Sequence, residues 1–595
     1  MDVKIIGDNN YLGNLKEEFF KNRGINNYLD FINLKGFKET NPFEFKNMDT
    51  AVDLLIKKQG GNICLIQDSD NDGIASCSEL NNYISTYLDY NLKISIHRKK
   101  VHGIKIDELE EDGILNWADI IIVSDAGSSD LEQHKLLREL YNIDVIIIDH
   151  HQTDTRSNDA IVINNQLDGI STNLTGSAMA YKFLQALDIT LEENGADDFL
   201  DLVALGLIAD MADTRDYEVQ YLIRKGIMAF KNEFLKTIID EDYNMKESEI
   251  SATTLSFSII PMLNACTRVA EFEEMKLITE AICNIGTDRE FEYEFQRGAR
   301  KGVTIKESLY QHAIRVARSC KSRQDSIVKR AVFGSKRPAK SGILELLENR
   351  DMSNDKIIVL DGTTYMEDSG LSGLIANKIM YKYNKPTLVF TKKKWGYLGS
   401  GRGEQIPFFR TRLEQTEIFK SVQGHEPAFG IRLSDSYLLD DIQEQLNKIF
   451  ENEKTDAQYV VDFNIPTDDL EDYIVDDLAR LEEYFGMGLK APLIYIENMI
   501  VPTNSITTGK SNNMLKFVYK DIEFIKFKTT QEEIEKLVVW QEEMCYNIIG
   551  KPSINEYQGK RFVQIIIDAI EIVDFESKSI DNLDWSNDDE QDFEW

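Results

Sequence analysis

Short apolar runs that each stop at an acid recur through the first part of the chain. Ile63-Cys64-Leu65-Ile66 leads to Asp68, Ile120-Ile121-Ile122-Val123 to Asp125, and Val145-Ile146-Ile147-Ile148 to Asp149. Continuous apolar runs of this length, bounded by polar turns, read as strands buried on both faces of a parallel sheet. With two neighbours they predict strands at Ile63–Gln67, Lys93–His97, Ile120–Ser124, Val145–Asp149 and Ala160–Asn164. The stretches between them read as helices, Ser76–Tyr87 among them. A longer apolar stretch, Ala204 to Ala209, reads as a helix that ends at Asp210.

The same patterning divides the rest of the chain. Residues 1–45 read as an irregular or helical arm, and 46–245 as a Rossmann-like α/β domain. A helical connector follows at 246–330, cation-rich from Phe291 to Arg330. A second α/β lobe spans 331–435, with strands at Ile357–Asp361 and Pro386–Phe390 and a helix at Leu371–Tyr383. It carries two Gly-rich pieces, Gly399–Gly403 and Gln423–Gly430. Residues 436–575 combine a helix at Thr467–Tyr484 with strand-like runs suited to a small OB-like barrel, and 576–595 form an acidic tail expected to be disordered. The predicted fold class is α/β: two α/β lobes joined by a long helix, plus a C-terminal OB-like β-barrel.

The acids matter because open α/β sheets bind ligands at the C-terminal edge of their strands. Alone, Asp149-His150-His151 marks a solvated loop more often than a site. Four segments ending in acids shift that balance, because clustered carboxylates repel one another unless a cation sits among them. Aspartate and histidine donors, with no paired cysteines, suit Mn²⁺ or Mg²⁺ better than structural zinc.

The net charge of −35 opposes tight, indiscriminate duplex binding, yet leaves room for a narrow basic channel for one strand. The cations between Phe291 and Arg330 are a local reversal of that charge, although such a stripe is usually a solvated face. The six cysteines are scattered without a CxxC pair, which fits a reducing cytoplasm. No signal-peptide pattern opens the chain and no apolar run approaches about 18 residues, so a cytoplasmic protein without a membrane span is expected.

The segments DSDNDG, SDAG, IIDHH and GLIAD resemble the four motifs of the DHH phosphoesterase superfamily. Ile260–Arg268 resembles the PRLNAAGR signature of its RecJ-like branch, with Met262 in place of an arginine and Cys266-Thr267 in place of Ala-Gly. The Gly-rich pieces resemble GSGRS and GGHxxAxG of the DHHA1 domain, with Gln423 replacing a glycine, and Leu481–Pro492 resembles a family approach to an OB-like barrel without its Asn-Pro. The resemblance covers residues 60–530.

It implies a metal-dependent exonuclease that hydrolyses single-stranded DNA from the 5′ end to mononucleotides by a two-metal mechanism, in DNA repair, recombination or replication. By that match Asp125 bridges two ions of Mn²⁺ or Mg²⁺, Asp68 serves one, and Asp70, His150 and Asp210 serve the other. Asp149 ligates or orients, and His151 stabilises charge or protonates the leaving oxygen. Arg98 and Arg268 clamp the 5′ phosphate, and Arg402 and His425 contact the phosphodiester. Thr175–Ala178 is structural. Cys64 stands where some branches carry a ligand histidine, which weakens the first ion site unless Asp72 helps. The expected partner is single-stranded DNA, with RNA still open because nothing visibly reads a 2′-OH. The tail recruits a single-strand-binding or replication protein, guards a basic groove, or simply solubilises. The expected state is a monomer. Two alternatives are a hydrolase of short oligonucleotides or cyclic dinucleotides, which needs no barrel, and an inactive single-strand-binding scaffold, which needs no repelling carboxylates.

Overall fold

The chain opens with strand β1 (Asp2–Ile5) and helix α1 (Leu15–Asn22). The computed structural model describes all residues except 244–249, 297, 337–338, 367–368, 435–436, 454–457, 510–512, 539–541, 558–559 and 574–595. They fall into two units. One comprises Gly36–Ala457 with Phe485–Leu489; the other comprises Met1–Lys35, Gln458–Tyr484 and Lys490–Trp595.

In the larger unit, β2 (Asn62–Gln67) leads through α2 (Asn71–Tyr87) to β3 (Asn91–Ile96), followed by β4 (Ile120–Ser124), β5 (Asp144–Asp149) and β6 (Ile161–Asn164). All pair in parallel, in the order β3-β2-β4-β5-β6. Successive side chains of a strand point to opposite faces. Leu65, Ile122, Ile146 and Ile148 therefore enter one apolar cluster, while Cys64, Ile66, Ile121, Val123 and Ile147 enter another. Two buried faces explain why these runs are continuously apolar. The order sets β4 between β2 and β5, so the C-terminal ends of the three acid-ended strands lie side by side. Helices α3 (Gly176–Leu191) and α4 (Leu200–Ala209) pack into the first cluster.

The PMLNACTR segment forms α5 (Ile260–Val269), which continues directly from a π-helical turn at Leu255–Ile259, so Pro261 falls where the helix changes pitch. The connector departs from the helical expectation. Residues 290–308 form an antiparallel hairpin, β7 (Glu290–Glu294) and β8 (Thr304–Ser308), and only then does α6 (Leu309–Phe333) begin. The alternation Glu-Phe-Glu-Tyr-Glu has the period of a strand, and Gly298 and Gly302 take positive φ in the turn. Ser308 caps α6 in a reciprocal pair with Gln311.

Strand β9 (Ile358–Asp361), helix α7 (Ser372–Tyr383), and strands β10 (Thr387–Lys393), β11 (Gly396–Arg402), β12 (Phe419–His425) and β13 (Ala428–Leu433) build the second sheet, ordered β9-β10-β11-β13-β12. The Gly-rich pieces are strands here. A Cβ on Gly401 would collide with the Phe429 ring, so the glycines let β11 and β13 pack closely.

The smaller unit shows that the first residues are no loose arm. Strand β1 pairs in parallel with β14 (Gln458–Val461). Arg23, just after α1, donates two hydrogen bonds to Asp462, at 2.8 and 2.9 Å, and the Asp462 side chain is fully buried. The predicted helix at Thr467–Tyr484 shrinks to α8 (Asp472–Ala479), flanked by short 3₁₀ turns. Strands β15 (Phe463–Pro466), β16 (Ile494–Pro502), β17 (Thr507–Thr508), β18 (Met514–Tyr519), β19 (Ile522–Phe527), β20 (Glu543–Tyr557) and β21 (Lys560–Ile572) form a seven-stranded sheet ordered β15-β16-β20-β21-β19-β18-β17. Phe517 stacks on Phe524 with centroids 5.0 Å apart and is core. The acidic tail, 576–595, lies outside the described residues. Among the described residues no helix is long and apolar enough to cross a membrane.

Candidate active site

Asp68 follows β2 directly and is 2% exposed. Asp70 caps α2, its Oδ1 accepting from the Gly73 N–H at 3.1 Å. The first turn of α2 then buries Asp72, whose carboxylate accepts from Thr175 Oγ1 at 3.0 Å, the Gly176 N–H at 2.6 Å and the Ser177 N–H at 3.0 Å. These last donors open α3, where free N–H groups and the helix dipole favour an anion.

Asp125 follows β4 in a left-handed backbone conformation, φ 62°, uncommon for a side-chain-bearing residue. Its Oδ1 is buried and makes no hydrogen bond, although His150 Nε2 stands 3.0 Å away. Asp68 Oδ1 is likewise buried and unpartnered. Burial pushes the Asp125 carboxyl well up from its ordinary range, and Asp72, Asp70, Asp68 and Asp210 add repulsion. Asp72 is raised by burial as well, with His150 opposing and Asp210 reinforcing the shift.

Beyond β5, Asp149 is wholly committed. Its Oδ2 accepts from the Ser128 N–H at 3.0 Å, and its Oδ1 from the His150 and His151 N–H groups at 2.7 and 3.1 Å. His151 Nδ1 lies 2.8 Å from the same oxygen. Burial opposes the Asp149 charge, but these bonds and the His151 ring overcome it and hold the carboxyl far below its usual range. Burial alone would lower His151; its hydrogen bond to Asp149 and the surrounding acids push it up to about 9.

Among the described residues, three groups bring potential ligand atoms within 4.8 Å of one another: Asp68, Asp70 and His102; Asp72, His150 and Asp210; Asp125, His150 and His151. Oxygen and nitrogen donors without thiolate, around two buried acceptor oxygens that nothing satisfies, fit hard or borderline divalent cations such as Mn²⁺ or Mg²⁺. Three glycines make room for the acids. A Cβ on Gly176 would stand 2.5 Å from Asp125 Oδ1, one on Gly73 would stand 2.5 Å from the Asp68 Cβ, and one on Gly206 would overlap Asp72 Oδ1. Gly176 belongs to the Thr175–Ala178 segment, so that segment shapes the site as well as the core.

Next to Asp70 the charge reverses. Burial, and after it the Arg268 charge, lower the Arg402 guanidinium to about 10. Burial lowers Arg268 while Asp70 opposes the shift. Lys100 keeps a large exposed surface, yet the protein packed near its ammonium lowers its pKa, with Arg268 and Arg402 adding repulsion and Asp70 and Asp68 opposing it. Three cations crowded without enough counter-charge suit a phosphate.

The expected site residues thus separate. Asp68, Asp70, Asp125, His150, His151 and Asp210 converge, with Asp149 behind His151. The grouping differs from the family-based expectation: Asp70 sides with Asp68, and Asp72 joins His150 and Asp210. Arg98 donates to Asp112 at 2.7 Å and lies over the Phe272 ring, while Lys100 of the same loop faces the acids. Arg268 and Arg402 meet at the cationic pocket. The His425 side chain lies outside the described portion, as does Arg297. His102 and Lys100 escaped the sequence patterns because a loop crossing from β3 back over β2 leaves no periodic signal.

A groove of about 560 Å³ runs between the segment before α5 and helix α6, with Phe257, Met262, Arg318, Lys321 and Lys329 among its walls. The α6 cations are largely paired: Lys321 with Asp325 at 2.6 Å, Arg318 with Glu241 at 3.9 Å, Arg315 with Glu307 at 3.0 Å and Arg323 with Glu274 at 2.5 Å.

Comparison with known proteins fits this geometry. A model of the DHH family N-terminal domain matches residues 62–207, and a model of the RecJ OB domain matches residues 461–569. YorK, named as an SPbeta prophage-derived single-strand DNA-specific exonuclease of Bacillus subtilis, is 33% identical over 599 residues, covering 98% of this chain and all of that protein. The chain belongs to the RecJ-like branch of the DHH family. Haemophilus influenzae RecJ, a single-stranded-DNA-specific exonuclease by name, is 22% identical across 90% of this chain and 92% of its own. The crystal structure of Thermus thermophilus RecJ in complex with Mn²⁺ has the same fold, with a TM-score of 0.69 at 17% identity over 93% of this chain and 75% of that one. A second RecJ structure from that organism, with Mg²⁺, gives a TM-score of 0.64 at 16% identity over 93% and 74%. RecJ-like architecture accounts for both the acid-ended parallel sheet and the C-terminal seven-stranded sheet.

Proposed function

We propose that this RecJ-like chain is a metal-dependent exonuclease that removes mononucleotides from the 5′ end of single-stranded DNA, in repair, recombination or replication. The observation that carries it is the facing of two charge clusters: buried acids with unsatisfied oxygens at the sheet edge, and the Lys100, Arg268 and Arg402 cations beside Asp70. The names of its relatives support the substrate, and the titles of the two Thermus thermophilus structures support the choice of Mn²⁺ or Mg²⁺.

Asp68 and Asp70 would hold one divalent ion, and Asp72, His150 and Asp210 a second, with Asp125 a further donor beside His150. Such ions polarise the scissile phosphodiester and favour ionisation of the attacking water. The chain's own groups do the rest. Asp149 fixes the His151 ring through Nδ1, which leaves Nε2 free of that bond on a ring grouped with Asp125 and His150. The Asp149 bond favours the charged form of that ring, which can donate a proton to the leaving oxygen or stabilise its charge. Arg268, Arg402 and Lys100 hold the terminal 5′ phosphate and so set polarity. The groove beside α6 supports a path for one strand, with Lys329 on its wall for a phosphate and Phe257 for a base.

Asp125→Ala tests this assignment. Hydrolysis of a single strand should vanish while the circular dichroism spectrum stays native. Turnover retained in that variant would remove the acid cluster from the reaction.

A further inference from the structure

The first ion site has too few donors on its own strand. Cys64, four residues before Asp68, is fully buried in an apolar cluster with Ile66, Ile121 and Val123 and offers Asp68 nothing. The chain supplies a donor from elsewhere. His102, on the loop after β3, places Nδ1 at 2.7 Å from Asp68 Oδ2, while Asp68 Oδ1 remains buried and unpartnered. The ligand atoms of His102, Asp68 and Asp70 lie within 4.8 Å of one another.

That loop is held on both sides of His102. Ser69 Oγ donates to the Val101 carbonyl at 2.6 Å, and the Ile104 N–H donates to Asp130 at 2.7 Å. Gly103 takes φ 73° against the Asp130 carboxylate, where a Cβ would collide. The His102 side chain itself is 56% exposed, so nothing but Asp68 and the neighbouring loop fixes its ring.

We propose that His102 is the third protein ligand of the ion held by Asp68 and Asp70, standing in for the histidine absent at position 64. This rests on the metal-dependent reading above. An imidazole donor also biases the site toward Mn²⁺ over Mg²⁺.

Mn²⁺ binding to the metal-free full chain, by calorimetry and electron paramagnetic resonance, tests it against a merely electrostatic role. His102→Asp keeps a ligand but loses the cation; His102→Lys keeps the cation but loses the ligand. The expected result is two Mn²⁺ sites in the wild type, one of them weakened by about tenfold or more in His102→Lys and His102→Ala and nearly retained in His102→Asp. Two wild-type-strength sites in His102→Lys or His102→Ala would overturn the proposal and leave the metal-dependent reading standing. A wild type that binds no Mn²⁺ would overturn that reading itself.

Discussion

His151 Nδ1 lies 2.8 Å from Asp149 Oδ1, and both backbone N–H groups of the two histidines point at the same oxygen. The ring is therefore fixed in one orientation and its charged form is favoured. The folded His151 pKa, about 9, lies above its ordinary value of 6.5. The charged ring thus contributes stability that is fully present below pH ~6.5 and is lost as pH rises through about 9. In the metal-free protein an NMR titration of the His151 ring should show a midpoint near 9, falling toward the ordinary value in Asp149→Asn. That variant should also lose about 100-fold or more in turnover. A midpoint unmoved by the substitution would separate the two residues functionally.

Arg268 and Arg402 crowd each other next to Asp70. Arg268→Ala should cut the preference for a 5′-phosphorylated end by about tenfold or more, because a guanidinium fork on a terminal phosphate is lost. The salt dependence of single-strand binding should flatten by about 0.7 in log–log slope for one lost phosphate contact. Competition between 5′-phosphorylated and 5′-hydroxyl strands reads the first effect. An unchanged preference would take Arg268 out of the pocket.

Gly176→Ala places a methyl group 2.5 Å from Asp125 Oδ1. The helix tolerates alanine, but the carboxylate must move. Melting should show a cost of about 1–3 kcal/mol, and Mn²⁺ affinity should fall further than that cost alone explains. A variant with wild-type Mn²⁺ affinity would show that Asp125 does not need its present position.

The sheet was readable in the sequence because its strands are buried twice. Runs such as Ile120–Val123 have no polar face to confuse them with amphipathic helices, and each ends at an acid of the site. Other elements hid for physical reasons. Strand β20 contains Gly550 and Pro552, residues that ordinarily argue against a strand; a register shift at Ile549/Gly550 takes the glycine, and pairing with β16 ends at Gly550, so Pro552 sits on an open edge. Strand β1 is too short to signal itself and finds its partner at Gln458–Val461, at the far end of the chain. Asp72 could be seen as an acid but not assigned. Its place beside His150 and Asp210 depends on α3 lending it three donors, a tertiary arrangement with no local signature.

Lys182 is fully buried and pairs with Glu218 at 2.7 Å, and Thr40 and Ser171 also donate to that carboxylate. Burial alone would raise Glu218, but Lys182 and Thr40 hold it below its usual 4.5. Its contribution is present above pH ~4.5 and is lost as pH falls through the lower folded value. Lys182→Met leaves a buried, unpaired carboxylate and should cost about 3–5 kcal/mol at neutral pH. That loss should shrink in acid as Glu218 is protonated. Denaturant melts at pH 7 and below pH 4 check both statements, and equal losses at the two values would contradict the pairing.

The most direct measurement is digestion of one single strand, labelled at the 5′ end in one copy and the 3′ end in another, with Mn²⁺ and a blunt duplex control. The account predicts immediate release of a labelled mononucleotide from the 5′-labelled copy, progressive shortening of the 3′-labelled copy, a spared duplex, and no cleavage after chelation. Intact long strands alongside turnover of dinucleotides, or cleavage that persists without a divalent ion, would contradict it.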